Sequence, residues 1–224
     1  MKNKRYEESR KTLVEGKAYP LEDGLKMLKS FKKAKFDESV EIHINLNTGM
    51  KKIPQNITGS VSLPAGTGKD VRVAVISKGA KAEEALAAGA DKVGGEDIVA
   101  EILAGKIDFD VLLTTPDCMK DVAKVARIIG PRGLMPTPKA GTVTMEIAAA
   151  VKNYKAGLLR WKVDATGNIH ALCGKISFAD DKLAENIKAI LESVRAAKMP
   201  FPAGNVIKKI SIATTMSPGV RISA

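Results

Sequence analysis

The 224-residue sequence lacks the usual marks of a secreted, membrane-spanning or metal-binding protein. Its two cysteines, Cys118 and Cys173, are far apart and match no disulfide framework, so we expect reduced thiols in the cytoplasm. It contains no apolar run of 18 residues, and its first 11 residues lack the apolar stretch of a secretory signal. We therefore expect no transmembrane helix and no membrane partner.

Charge of one sign is in excess. Lys and Arg number 36 against 25 Asp and Glu, which gives a formal net charge of +11. Such a balance favours a polyanionic partner, nucleic acid before an anionic membrane surface. A solvated basic surface without a specific partner remains the plain alternative.

The excess charge is not spread evenly. Residues 67–159 hold 13 Lys and Arg against 12 Asp and Glu, a net +1, so the rest of the chain carries +10. A uniform basic coating would not divide in this way. The division predicts a nearly neutral domain, residues 67–158, inserted into a basic domain made of residues 1–66 plus 159–224.

Hydrophobic spacing predicts a different fold for each part. Alternation with polar residues at Val40, Ile42, Ile44 and Leu46 is typical of a strand with one solvent-exposed face. A similar alternation returns after residue 157, together with amphipathic helical segments. This pattern predicts an α+β domain. Between residues 67 and 158, short apolar runs alternate with helical segments, which predicts an α/β, Rossmann-like domain with a parallel sheet.

Both chain crossings between the predicted domains carry a glycine. Gly66 lies at the first crossing and Gly157 at the second. Adjacent flexible crossings are typical of a hinge, so we predict one here.

Two catalytic or ligand-binding interpretations are weak. Residues 65–70 contain a Gly-Lys pair, but Leu63 and Asp70 stand where a phosphate-binding loop needs Gly and Ser or Thr, and a strand follows. His170 and Cys173 are three residues apart, so on a strand they face opposite sides. We therefore expect a domain-crossing turn at the first segment, and neither a zinc site nor a Cys–His nucleophile at the second.

Three segments are candidates for contact with RNA. Phe36, between a lysine-rich helix end and a strand, is either a core residue or a face for a base or ribose. Gly174 and Lys175 allow a close approach and add a cation. Residues 211–219 are rich in small hydroxyls that can bind phosphates and 2′-hydroxyls, although an ordinary strand and loop explain them equally well.

The same segments resemble the large-subunit ribosomal protein L-one family in its bacterial form. The resemblance runs from about Tyr6 to Arg221. Its motifs are AKFDESVE at residues 34–41, LPAGTGK at 63–69, FDV at 109–111 and TPD at 115–117. They continue with the highly specific GPRGLMPTPK at 130–139, Ile169-His170, Gly174-Lys175 and TMSPG at 215–219.

The resemblance implies a ribosomal protein that is not an enzyme, uses no cofactor and is a monomer when free. It implies binding to the large-subunit ribosomal RNA stalk beside the tRNA exit site, help in releasing exit-site tRNA, and repression of the protein's own operon messenger RNA. The implied RNA contacts are Lys35, Phe36, Ser39, His170, Gly174, Lys175, Ser211, Thr215, Met216, Ser217 and Gly219.

Three residues depart from the family pattern. Ser217 stands where Gly is usual, and it costs RNA affinity if that position needs positive φ or close RNA approach, or adds affinity if its hydroxyl binds phosphate. Ala165 stands where Lys is common, and Thr137 stands where Asn is common.

Two alternative functions stay open, a nucleotide-binding enzyme and a basic protein–protein adaptor.

Overall fold

The structure, a computed structural model, describes residues 4–14, 16–47, 57–138, 141–197 and 206–223. The chain divides into two compact units, one formed by Met1–Gly68 with Leu159–Ala224 and the other by Lys69–Leu158. The elements in chain order are α1 (Lys4–Lys11), α2 (Leu21–Ser30), β1 (Ser39–Leu46), β2 (Thr58–Ser62), β3 (Val73–Ile76), α3 (Ala80–Ala87), β4 (Lys92–Gly94), α4 (Glu96–Leu103), β5 (Val111–Thr114), a 3₁₀ turn (Pro116–Cys118), α5 (Met119–Ile129), α6 (Ile147–Lys155), β6 (Leu158–Lys162), β7 (Asn168–Lys175), α7 (Asp180–Ala196), β8 (Ile207–Thr214) and β9 (Val220–Ile222).

The first unit contains an antiparallel sheet with strand order β7-β1-β8-β9. Side chains of β1 alternate between buried and half-buried, and α2 and α7 pack on the buried side. Leu25 and Leu28 of α2 and Ile187 and Ile190 of α7 are almost fully buried there. Each such side chain stabilises the unit by about 1.5–3 kcal/mol. One face of the sheet is therefore core, and the other presents polar side chains outward.

A separate two-stranded ribbon of β2 and β6 packs against α7 in the same unit. The Trp161 ring covers Gly59 so closely that a Cβ at Gly59 would lie 2.3 Å from it. The Trp161 indole N–H donates to the Ser193 hydroxyl of α7 at 3.1 Å. Gly59 is thus required by the close approach of the ring.

The second unit is built on a parallel sheet with strand order β4-β3-β5. Strand β3 is buried along its whole length, as expected for a parallel strand covered on both faces. Ala74, Ile76 and Leu112 pack beneath α4 and α5, whereas Val73 and Leu113 pack beneath α3 and α6. The mixed α/β and α+β fold class predicted from the sequence is confirmed.

Several elements are short or begin and end irregularly. The N-terminal helix covers Lys4–Lys11, and a 3₁₀ turn precedes α5. Strand β7 runs to Lys175, so Gly174 lies inside it. Strand β9 was not predicted, because its three residues are held by pairing with β8 and with Tyr19 rather than by a local pattern.

Candidate nucleic-acid interface

One edge of the antiparallel sheet gathers most of the candidate RNA-contacting residues. Ser39 at the start of β1 lies opposite Lys175 at the end of β7, and Val40 lies opposite Thr214 at the end of β8. Antiparallel strands bring the start of one beside the ends of its neighbours. Eight candidate residues therefore lie together at one end of these strands, which we call the sheet edge: Lys35, Phe36, Ser39, Gly174, Lys175, Thr215, Met216 and Ser217.

A buried carboxylate holds two loops of this edge together. The Glu38 side chain is 2% exposed, and its Oε1 accepts a hydrogen bond from the Ala34 amide at 2.7 Å. Its Oε2 accepts from the Thr214 hydroxyl at 2.5 Å and from the Met216 amide at 3.2 Å. Burial alone raises the pKa of Glu38, but these hydrogen bonds, aided by Arg5, outweigh it and leave the pKa below its ordinary value. The ionised carboxylate is the form that the fold favours.

Two hydrogen bonds hold Ser39 against Thr215. The Thr215 amide donates to the Ser39 carbonyl at 3.1 Å, and the Ser39 amide donates to the Thr215 hydroxyl at 3.1 Å. The Lys175 ammonium donates to the Asp37 carbonyl at 3.1 Å and to the Ser39 hydroxyl at 3.2 Å. A cation and several hydroxyls are thus held in fixed positions at the edge, which suits binding of phosphate and ribose.

Gly174 gives this edge its irregular shape. The pairing of β1 with β7 shifts between Val40 and Glu41, next to Gly174, whose φ is +148°. A Cβ at Gly174 would lie 3.1 Å from side-chain atoms of Leu183 and Phe178. The positive φ favours glycine at this position and the contacts leave little room for a Cβ, so the irregular end of β7 lies directly before Lys175.

Two exposed apolar side chains flank the edge. Phe36 is 55% exposed and Met216 is 46% exposed. The alternative that Phe36 belongs to the core is therefore wrong, because the loop before β1 turns its ring outward. An exposed aromatic near a fixed cation is a suitable surface for stacking on a base or ribose.

Ser217 has a role in its own turn. Its hydroxyl accepts a hydrogen bond from the Thr214 amide at 2.9 Å and donates to the Pro218 carbonyl at 3.1 Å. Positive φ occurs only at glycines among the described residues, so backbone strain at Ser217 is excluded. The hydroxyl closes the turn after β8, a role that the residue type alone does not indicate.

A row of side chains crosses the open face of the sheet. In the strand register, His43 lies opposite His170 on one side and Ser211 on the other, and Ser211 lies opposite Arg221 of β9. His170 and Ser211 therefore lie on the face and not at the edge. Gly219 is near Ser211, since a Cβ at Gly219 would be 4.0 Å from the Ser211 Cβ.

The two histidines of the row share a hydrogen bond. Their Nδ1 atoms are 2.8 Å apart, so one ring donates and the other accepts. The His170 Nε2 lies 3.7 Å from an Asp164 carboxylate oxygen. Burial and then His170 lower the pKa of His43, while Glu41 opposes the shift. The pair therefore favours a neutral His43 in the free protein.

The remaining predictions fare differently. His170 is exposed and Cys173 is buried, so they do lie on opposite sides of β7, and burial raises the pKa of the Cys173 thiol. In the described ranges, no group of three or more metal-ligating side chains occurs. Within those same ranges no helix is long and apolar enough to cross a bilayer. Lys139, part of one family motif, lies outside the described residues.

The two predicted hinge glycines have positive φ, +71° at Gly66 and +104° at Gly157. The Gly66 carbonyl accepts from the buried Asn186 amide at 3.0 Å, which also donates to the Cys173 carbonyl at 2.7 Å. Asn186 thus ties Gly66 to α7 and β7 within its own unit. The hinge stays a prediction.

The departures at Ala165 and Thr137 have modest structural settings. Ala165 is exposed in the turn after Asp164. The Thr137 amide donates to the Thr142 hydroxyl at 2.8 Å, and that hydroxyl donates back to the Thr137 carbonyl at 3.1 Å. Both Thr137 bonds use backbone atoms, so they do not explain the choice of threonine there.

Sequence reasoning did not indicate Glu38, His43 or Arg221 as residues of the candidate interface. His43 occupies a polar position in the alternation of β1, which is typical of the solvent-exposed face, but the alternation does not indicate its pairing with His170. Nothing local marked Glu38, whose partners Thr214 and Met216 are far along the chain.

Comparison with known proteins gives a consistent result. Residues 28–218 match the model of the Ribosomal protein L1p/L10e family. The chain is 50% identical over 221 residues to the large ribosomal subunit protein uL1 of Fervidobacterium nodosum, covering 98% of this chain and 94% of that protein. It is 49% identical to the proteins of the same name from Dechloromonas aromatica, over 94% of this chain and 91% of that one, and Thermosipho melanesiensis, over 99% and 96%.

Proposed function

The chain belongs to the ribosomal protein L1p/L10e family, and from this premise we propose that its sheet edge and open sheet face bind the stalk region of large-subunit ribosomal RNA. Membership makes it a structural protein of the large ribosomal subunit rather than an enzyme. The observation that carries the RNA proposal is the fixed edge around Glu38, where Lys175, Ser39 and Thr215 are held beside the exposed Phe36.

The donors at this edge favour recognition of a folded RNA by shape. Ammonium, hydroxyl and backbone groups contact phosphates and riboses, which carry little sequence information. Phe36 adds a stacking surface that tolerates any base. Selectivity would then come from the RNA fold that places phosphates, riboses and one unstacked base at matching positions.

Titration with RNA tests this proposal. The full chain is titrated with a stalk RNA fragment and with an unrelated folded RNA of equal length at several salt concentrations. We expect selective binding to the stalk fragment. The logarithm of the affinity should fall with the logarithm of the salt concentration, with a slope of about 0.7–0.9 per neutralised phosphate. Equal, salt-sensitive binding to both RNAs would reduce the surface to a generic polyanion binder.

A matched pair of variants locates the interface. Phe36 and Leu103 are large apolar side chains that are 55% and 57% exposed, and Leu103 ends α4 in the other unit. Phe36→Ala is expected to weaken stalk binding by about 1–3 kcal/mol through lost stacking, whereas Leu103→Ala leaves it unchanged. Equal affinities of the two variants would remove Phe36 from the interface.

The proposal extends to repression of the protein's own operon messenger RNA. A surface that recognises RNA by shape binds any RNA presenting the same phosphate and ribose arrangement. We expect the messenger leader and the stalk fragment to compete for the protein and to be weakened alike by Phe36→Ala. Simultaneous binding of both RNAs would show that they use different surfaces.

Help in releasing exit-site tRNA rests on family resemblance alone. Ribosomes lacking the protein are expected to release exit-site tRNA more slowly, and addition of the purified chain is expected to restore the rate. Unchanged release in its absence would confine the protein to a structural role. A domain hinge at Gly66 and Gly157 belongs to this part of the proposal.

A further inference from the structure

A basic concavity of about 440 Å³ lies beside the proposed interface in the same unit. Its walls come from α1, from the segment that leads to α2, and from the residues around β9. The lining residues that matter here are Tyr6, Arg10, Lys17, Tyr19, Gly219 and Arg221. Among the described residues that line it, three are cations and none is acidic.

The sheet fixes one wall of this concavity. The Tyr19 amide donates to the Arg221 carbonyl at 2.9 Å, and the Ser223 amide donates to the Tyr19 carbonyl at 2.8 Å. Tyr19 thereby forms a bridge to Ile222 of β9, and its ring is 9% exposed. The Lys17 ammonium lies 5.2 Å from the centre of this ring, a cation–π distance. Lys17 is therefore directed by a rigid partner.

Helix α1 contributes an aromatic side chain to the lining. Tyr6 and Arg10 are four residues apart on α1, so they lie on the same side of the helix. The Tyr6 side chain is 40% exposed. A partly exposed tyrosine that lines the same concavity as three cations combines a stacking surface with charges, the arrangement with which proteins hold single nucleotides of an RNA strand.

The concavity continues the row across the open face of the sheet. Arg221, which lines it, lies opposite Ser211, and Ser211 lies opposite His43. Gly219, which also lines it, would carry a Cβ only 4.0 Å from that of Ser211. A strand that crosses the face over the histidines and Ser211 therefore reaches this concavity next.

We infer that the concavity binds one nucleotide of the RNA strand, with Lys17 and Arg221 at its phosphate and the Tyr6 ring stacked on its base. Arg10 adds positive charge to the same wall. The inference rests on the proposed function, and it extends the interface from the sheet edge to the N-terminal helix.

Substitution at the concavity tests the inference in the full-length protein. Lys17→Gln and Arg221→Gln are compared with Lys11→Gln, an exposed cation of α1 that does not line the concavity. Each lining variant is expected to bind the stalk fragment about tenfold more weakly, since a bond to a charged group is lost. The slope of log affinity against log salt concentration is expected to become shallower by about 0.7–0.9, the value for one phosphate contact. Lys11→Gln is expected to stay within about twofold of wild type, because a surface charge away from the RNA contributes little.

The aromatic contact has its own comparison. Tyr6→Phe keeps the stacking face and is expected to bind like wild type, whereas Tyr6→Ala is expected to lose about fivefold or more in affinity. Stalk RNA carrying 4-thiouridine is expected to form a photo-crosslink within residues 6–17. Crosslinks confined to the segments around Phe36 and Met216 would contradict the inference.

The outcomes separate the two proposals. Selective wild-type binding with lining variants equal to Lys11→Gln would overturn the inference and leave the proposed function standing. Equal binding of the wild-type protein to the stalk fragment and to the unrelated RNA would overturn both.

Discussion

The Glu38 carboxylate lies 2.5 Å from the Thr214 hydroxyl, although the two residues are 176 positions apart in the chain. The same carboxylate also accepts bonds from the Ala34 and Met216 amides. One buried charge thus organises the loop that carries Phe36 and the turn that carries Met216. The proposed RNA interface depends on a residue that is itself hidden from RNA.

Glu38→Gln should therefore destabilise the first unit. Glutamine keeps one acceptor oxygen, but its amide group faces donors that it cannot satisfy. We expect a loss of about 2–4 kcal/mol in the free energy of unfolding, measured by urea denaturation, because bonds to a buried charge are strong. Glu192→Gln, on the exposed side of α7, is the control. A loss no larger than that of the control would show that the carboxylate does not hold the loops.

The stabilising effect of Glu38 should depend on pH. Its pKa is below the ordinary 4.5, because the hydrogen bonds to the carboxylate outweigh burial. A lowered folded-state pKa gives a contribution that is complete above the unfolded-state pKa and is lost as the pH falls through the folded-state pKa. The stability difference between wild type and Glu38→Gln should thus be constant near neutrality and shrink below about pH 4.5. A difference that grows on acidification would reverse the assigned direction.

Ser217→Gly should weaken rather than strengthen the interface. The hydroxyl closes the turn by accepting from the Thr214 amide, and no positive φ is present to be relieved by glycine. We expect a loss of about 0.5–1.5 kcal/mol in stability from the missing hydrogen bond, with a smaller change in RNA affinity. Ser217→Thr, which retains a hydroxyl, is the comparison. Tighter stalk RNA binding by Ser217→Gly would mean that the serine obstructs the RNA.

Proton uptake is expected when RNA covers the histidine row. In the free protein, burial and His170 lower the pKa of His43, and Glu41 and Asp164 are the acids that face the pair. A phosphate placed over the pair favours the charged imidazole, so affinity should rise as the pH falls from 8 to about 6. Titrations at constant ionic strength measure this slope, and His43→Gln should flatten it. An identical slope in that variant would place the RNA away from the row.

Local pattern was sufficient for much of the fold. The alternation of Val40, Ile42 and Ile44 predicted β1 and its buried face, and the short apolar runs between residues 67 and 158 predicted a parallel sheet. Alternation works here because β1 is the centre of a sheet with one face covered by helices. The polar positions of the same alternation, His43 among them, lie on the open face.

Non-local contacts account for what was missed. Strand β9 has three residues and exists because β8 and Tyr19 pair with it. The sequence did not distinguish Glu38 from the other acidic residues, because two of the three groups that bind it, on Thr214 and Met216, are far away along the chain. The internal role of the Ser217 hydroxyl depends on a turn geometry that residue types alone do not specify. Contacts of this kind are set by tertiary pairing and not by local periodicity.

Gly174→Ala tests whether the irregular end of β7 positions Lys175. Gly174 has a φ of +148°, a conformation that L side chains rarely adopt, and an added Cβ would lie 3.1 Å from side-chain atoms of Leu183 and Phe178, so we expect the backbone before Lys175 to change. Gly105→Ala is a matched control, because Gly105 also has positive φ, +80°, but its Cβ would meet nothing within 4 Å. We expect Gly105→Ala to cost about 1 kcal/mol in stability and Gly174→Ala about 1–3 kcal/mol.

The two variants should differ most in RNA binding. A shift at Gly174 displaces the Lys175 ammonium from Asp37 and Ser39, whereas Gly105 follows α4 in the other unit. Stalk affinity should therefore fall about tenfold in Gly174→Ala, as expected for a misplaced cation, and stay unchanged in Gly105→Ala. Unfolding and RNA titrations of both proteins give the comparison. If Gly174→Ala lost stability but bound RNA normally, the strand irregularity would serve packing against α7, and Lys175 would contact RNA without it.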